Sequence, residues 1–108
     1  MSKRVKILKT LATILKNMPE IRYGALESVN VPANSYVDVP VTFSSAMAGT
    51  PVVFAALAST STSATIGSIL ACANSPTATG CTVRVFNNTS TARSPAVRYI
   101  AFYGGGAA

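Results

Sequence analysis

The sequence predicts an all-β domain, a six-stranded antiparallel β-sandwich, preceded by one N-terminal amphipathic α-helix. Three observations carry that prediction. Apolar residues recur at three- and four-residue intervals before Pro19 and at two-residue intervals after it. The alternating segments are short and are separated at regular spacing by clusters of Gly, Pro, Asn, Ser and Thr. The 108 residues provide for one domain and one modest core. The expected organisation is a helix over residues 1–18, a sandwich over 19–103 and a disordered or extended tail over 104–108.

The helix is expected over residues 2–18. Ile7, Leu8, Leu11, Ile14, Leu15 and Met18 form its apolar stripe, and Lys3, Lys6, Lys9 and Lys16 lie among the polar positions. Ser2 is a suitable N-cap, and Pro19 ends the helix at or before Met18. Leu8 with Leu15, and Leu11 with Met18, make a short heptad seam widened by Ile7 and Ile14. A helix of this length is marginal alone in water, so the stripe must be buried against partners, by self-association or by docking. A helix lying on a membrane surface is a second reading, because the polar face is cationic. A cleaved export signal is the third, but lysines interrupt the apolar run and no small-residue cleavage site follows it.

Strands are expected at 21–29, 36–43, 51–58, 66–73, 81–86 and 96–103. In the first, Gly24 is a candidate bulge. In the second, Val37, Val39, Val41 and Phe43 share one face and Tyr36, Asp38, Pro40 and Thr42 the other, with Pro40 pointing to an edge strand. The third is nearly all apolar and is expected to be buried on both faces. In the fifth, Cys81, Val83 and Val85 face one way and Thr82, Arg84 and Phe86 the other. Cys72 and Cys81 flank a hairpin turn; free thiols and a cross-strand disulfide are both open readings.

Composition limits the chemistry. There is no histidine, there are two cysteines and three carboxylates, and charged residues make up only 11% of the chain. Histidine-based triads and Cys/His metal sites are thereby excluded, so the expectation is a protein without catalytic residues, metal or cofactor. Most of the net charge of +6 belongs to the helix: five of the nine basic residues precede Pro19, and no acid does. The remainder carries four arginines against three acids, which argues against nucleic acid as a partner. A surface so poor in charge is covered by Ser, Thr and Asn, and suits a chain whose faces meet symmetric partners.

The run Val41-Thr-Phe-Ser-Ser, then Pro51-Val-Val, then Thr79-Gly-Cys-Thr-Val-Arg-Val and then Ala96-Val-Arg-Tyr-Ile-Ala resembles the H-type lectin domain. More closely, it resembles the H-type-lectin-like domains of phage tail fibres, baseplates and other virion appendages, over about residues 21–103. The resemblance implies a six-stranded sandwich that assembles as a homotrimer, with sugars bound on end loops near the boundary between protomers. It further implies a virion location, other virion proteins as partners through the N-terminal helix, and a host cell-surface glycan as ligand. A purely structural decoration or fibre-cap protein without glycan binding is the alternative. The chain departs from the animal lectins: Cys81 stands where the family has Phe, and Tyr99 where it has Trp. Ser68 falls at the family's sugar-contacting arginine, Asn88 and Thr89 fall near its Trp-His pair, and the intersheet disulfide has no counterpart. Fold-level likeness therefore transmits no sugar specificity.

The loop at 87–95 is the expected ligand surface, since almost every residue in it donates or accepts hydrogen bonds. Asn87, Asn88, Thr89 and Arg93 are its candidate ligand-binding residues, with Arg98 and Asp38 as further candidates. Arginine's planar fork suits vicinal hydroxyls and carboxylates, whereas Asp38 could instead pair with an arginine across strands.

Overall fold

The computed structural model describes residues 3–59 and 63–104, with backbone alone at 13–17 in the helix. Helix α1 (Lys3–Asn17) stops just short of Pro19. Proline disfavours helical backbone in the residue before it, and it has no N–H of its own to continue the ladder. Every described side chain of α1 is exposed, Leu8 by 64%. The molecule is a rod 70 Å long and 27 × 24 Å across, since α1 stands away from the sandwich. The Ser2 cap and the side chains of Ile14 and Leu15 lie outside the described residues.

Two three-stranded antiparallel sheets make the sandwich. In one, β6 (Val97–Tyr103) is central between β1 (Glu20–Leu26) and β3 (Val52–Leu57). In the other, β5 (Gly80–Asn87) is central between β2 (Ser35–Thr42) and β4 (Ile69–Thr77). The two central strands supply the best-buried residues, Val83 and Val85 from β5 and Val97 and Ala101 from β6. Val29, Val31, Val41, Phe43, Met47, Ile69 and Cys81 complete the core around them. Burying each valine contributes about 1.5–3 kcal/mol. The face assignments expected for β2 and β5 are those observed, and β2 is an edge strand, which accommodates Pro40.

Four details differ from the sequence pattern. The first part of the segment expected as a strand over 66–73 forms a 3-10 turn, Ala64–Ser68, and β4 begins only at Ile69. β4 then runs past Pro76, because a register shift between Asn74 and Thr77, with Ser75 at φ 49°, interrupts the ladder where proline cannot donate. Gly24 is no bulge: the β1–β6 register is continuous, and Gly24 lies beneath the Tyr99 ring, where a Cβ would collide. β3 is buried on one face only, with Val53, Ala55 and Leu57 inward and Val52 and Phe54 open to solvent. The cysteines are free, since Cys72 pairs with Arg84 on the outer face while Cys81 is buried opposite Val41. Two thiols on opposite faces of a sheet cannot be bridged.

At the α1 end, Arg22 fastens the β2–β3 connection. Its Nε donates to Ser45 O at 3.1 Å and its Nη2 to Ala46 O at 3.2 Å, while Glu20 Oε2 accepts from Ala48 N at 2.9 Å. Gly80 backs directly onto the Val41 carbonyl, so a side chain there meets backbone that cannot step aside. Gly80→Ala is expected to cost about 2 kcal/mol or more in urea unfolding. Cys72→Ser, on the open face, should change it by less than about 0.5 kcal/mol.

Candidate functional site

At the end opposite α1 the chain crosses between sheets at three places: 27–34, 58–68 and 88–96. Loops of polar sequence would be mobile if left to themselves, but these are stitched together. The hub is Asn87, the last residue of β5, which is fully buried. Its Nδ2 donates to Val31 O (3.1 Å), Pro32 O (3.2 Å) and Thr91 O (2.9 Å), two N–H groups shared among three carbonyls. Its Oδ1 accepts from Thr89 N at 3.0 Å and lies 2.6 Å from the Thr89 hydroxyl.

Backbone bonds extend the stitching. Val31 and Arg93 exchange bonds of 2.8 and 3.0 Å, and Asn34 N donates to Thr89 O at 2.9 Å from a left-handed conformation that asparagine tolerates. Ser94 Oγ donates to Asn30 Oδ1 at 2.5 Å. On the other side, Asn88 N donates to Ser68 O and Ala58 N to Ala96 O, both at 2.9 Å. Ser68, Asn88 and Thr89, the positions that the lectin resemblance aligns with sugar contacts, are thus neighbours.

The exposed side chain of Arg93 stands on a ridge between two clefts. The larger, about 460 Å³, lies between the end of β3, the 3-10 turn and residues 93–96, with Leu57, Ile66 and Ile69 as its apolar walls. The smaller, about 300 Å³, is enclosed by Asn30, Val31 and Pro32 on one side and Ala92, Arg93 and Ser94 on the other. Each of the three side-chain carboxylates is paired elsewhere: Glu20 with Arg22 (3.9 Å), Asp38 with Arg84 (2.8 Å) and Glu27 with Arg98 (3.6 Å). Among the described residues, Arg93 is the one arginine of the sandwich outside those pairs.

The candidate residues divide among three places. Asn88, Thr89 and Arg93 share the loop end, where Asn88 and Arg93 are exposed. Asn87 is there too, but its side chain is spent on the fold and offers nothing to a ligand. Asp38 lies on the outer face of β2-β5-β4, across from Arg84, which grips both its oxygens at 2.8 and 3.0 Å and lies 4.4 Å over the Tyr36 ring. Arg98 lies on the outer face of the opposite sheet.

Sequence reasoning missed what surrounds Arg98. Paired residues set Ile21, Phe102 and Val52 in one row across that outer face and Tyr23, Ile100 and Phe54 in the next. Tyr23 is 80% and Phe54 60% exposed, and only the row of Ala25, Arg98 and Ala56 carries a charge. The signal was present in β3, which is apolar at both parities, and in β6, where Arg98 is the one charged residue. Among the described residues no group of side chains could hold a metal ion, and no helix is long and apolar enough to cross a membrane.

Hydrogen bonding from Arg84 holds the Asp38 carboxyl below its ordinary value and raises Arg84, while burial raises the Cys81 thiol and the Tyr99 hydroxyl.

No family model and no curated protein sequence matches the chain. Among solved structures, the tailspike protein gp49 of Pseudomonas phage LKA1 is similar at 24% identity and TM-score 0.66, over 82% of this chain and 15% of that one. Tailspike gp61 of Pseudomonas phage phi297 is similar at 18% identity and TM-score 0.61, over 81% of this chain and 16% of that one. The N-truncated R1-type pyocin tail fibre is similar at 15% identity and TM-score 0.59, over 79% of this chain and 70% of that one. The fold is that of a sandwich found in phage tailspikes and pyocin tail fibres, and the chain spans only a small part of the tailspikes' length.

Asn87→Ala would strand the Val31, Pro32 and Thr91 carbonyls away from water and is expected to cost about 2–4 kcal/mol in chemical denaturation. Arg93→Ala should stay within about 0.5 kcal/mol of the parent. Because the Asp38 pKa is depressed, its contribution is present at neutral pH and fades as pH falls below about 4. Asp38→Asn should therefore flatten the acid limb of the stability–pH curve, followed by thermal melting.

Proposed function

We propose that the chain is a sandwich unit of a phage virion appendage (tail fibre, baseplate or head fibre), a homotrimer that presents its loop end to host surface glycans. The observation that carries this reading is the polarity of the rod. The exposed amphipathic helix is at one end, and three stitched crossings with the Arg93 clefts are at the other. The structural neighbours support the appendage setting, and the H-type-lectin-like order of motifs supports the glycan.

Self-association is carried by the outer face of β1-β6-β3. Ile21, Tyr23, Val52, Phe54, Ile100 and Phe102 form a contiguous apolar array, the kind of exposed surface that marks an interaction site. A symmetric ring of copies buries it and supplies β3 with the second covered face its sequence calls for. The helix has the opposite character, with lysines and no acid to offset them, so three copies side by side repel. It serves instead to dock the trimer on another virion protein through Ile7, Leu8 and Leu11.

The apolar face also favours the second reading, a decoration or fibre-cap protein that only packs against neighbours. Adsorption of the purified protein to host cells, and its inhibition by isolated surface polysaccharide, decides between them; no adsorption sinks the glycan reading. In native mass spectrometry the full chain is expected as a trimer that persists when residues 1–18 are removed. Phe54→Glu should reduce it to monomer.

A further inference from the structure

We infer that the Arg93 ridge selects a carboxylate-bearing sugar, a uronic or nonulosonic acid within a surface polysaccharide. This rests on the reading of the loop end as glycan-facing and names the chemical class that the end would select.

The argument begins with charge. A chain with so few charges has placed one guanidinium where folding does not use it. Arg22, Arg84 and Arg98 each lie within ion-pair distance of a carboxylate, and the three carboxylates of the sequence are accounted for by those pairs. Glu27 belongs to the same end of the sandwich but is engaged by Arg98 at 3.6 Å. An approaching anion therefore meets one cation and no uncompensated acid.

Position is the second element. Arg93 does not sit on a loose tip: its backbone N–H and carbonyl are both tied to Val31, and the next residue is tied to Asn30. A charged fork on a fixed loop loses less freedom on binding than one on a mobile loop. The clefts on either side have the mixed lining that a saccharide needs. Leu57, Ile66 and Pro95 offer apolar surface to ring C–H groups, while Thr65, Ser94 and Asn30 carry hydroxyl and amide groups for sugar hydroxyls. The larger cleft, about 460 Å³, falls within the range of about 300–1,000 Å³ of small-molecule sites.

The charge count selects the anion. One guanidinium matches a monoanionic carboxylate in bidentate fashion. Among the described residues, neither cleft contains a second lysine or arginine, as a dianionic phosphate would favour. Nor is there an aromatic side chain in either lining to stack a base, which sets nucleic acid aside.

The test uses the full chain on an array in which each carboxylated saccharide is paired with its carboxyl-reduced, neutral analogue, with phosphorylated saccharides as a further arm. Binding is expected to the carboxylated members and to fall about tenfold to a hundredfold on reduction. Arg93→Gln should abolish that difference, and Arg93→Lys, which keeps the charge without the fork, should retain only part of it. Equal binding to both members of the pairs leaves the glycan-facing reading standing and overturns the carboxylate. Binding to no saccharide overturns both. Preference for phosphate, or a carboxylate preference that survives in Arg93→Gln, overturns the assignment. So does an Arg93→Gln protein that loses its oligomeric state in native mass spectrometry, since Arg93 would then be an ion-pair partner between copies.

Discussion

The loop end of this sandwich depends on one buried amide. Asn87 closes the central strand β5 and spends both its oxygen and its nitrogen on the backbone of two different chain crossings. Carbonyls buried without partners cost about 1–3 kcal/mol each, so the amide decides whether three polar loops pack or fray. The order it imposes passes outward through the Val31–Arg93 bridge and the Asn88–Ser68 bond to all three crossings. The Arg93 backbone is tied to Val31, whose carbonyl the buried Asn87 amide also holds.

Charge is used sparingly, and the pattern of its use separates the surfaces. In the sandwich, pairing is the rule: Glu20 and Arg22 lie beside the β2–β3 connection, Asp38 and Arg84 pin β2 to β5, and Glu27 faces Arg98 at the rim of the apolar face. Exposed ion pairs contribute little to stability, about 0–1 kcal/mol apiece. Their larger effect is to leave a surface of hydroxyls, amides and apolar side chains on which a lone cation is conspicuous. The helix inverts the pattern, with cations only.

Much of this was legible in the chain. Alternation placed Val37, Val39, Val41, Val83 and Val85 inward, and Pro40 on an edge, because those outcomes follow from side-chain direction and a missing N–H. The sequence motifs also pointed to the loop holding Arg93. What escaped was anything requiring register across strands. Asn87 and Asn88 are adjacent and chemically identical, yet one is a buried strut and the other a surface group, a difference set by the parity of β5 in the sheet. Asp38 and Arg98 are further candidates by residue type; pairing puts them on opposite outer faces, and Asp38 meets the cross-strand arginine that its alternation allows. Gly24 is a candidate bulge by sequence because a glycine in a strand often marks one, whereas it leaves room for Tyr99 from the neighbouring strand. The apolarity of β3 at both parities is visible in the sequence and reads as burial on both faces, whereas the chain itself covers only one of them.

One pairing has a consequence for how such a unit travels. Glu20, the first residue of β1, and Tyr103, the last of β6, are register partners on adjacent strands. The chain therefore enters and leaves the sandwich through a single doorway about 5 Å wide, at the end away from the crossings. A unit hinged on so narrow a base can be set into a turn of a larger polypeptide with little disturbance to either. Its far loops are then free to diversify while the host framework stays as it was.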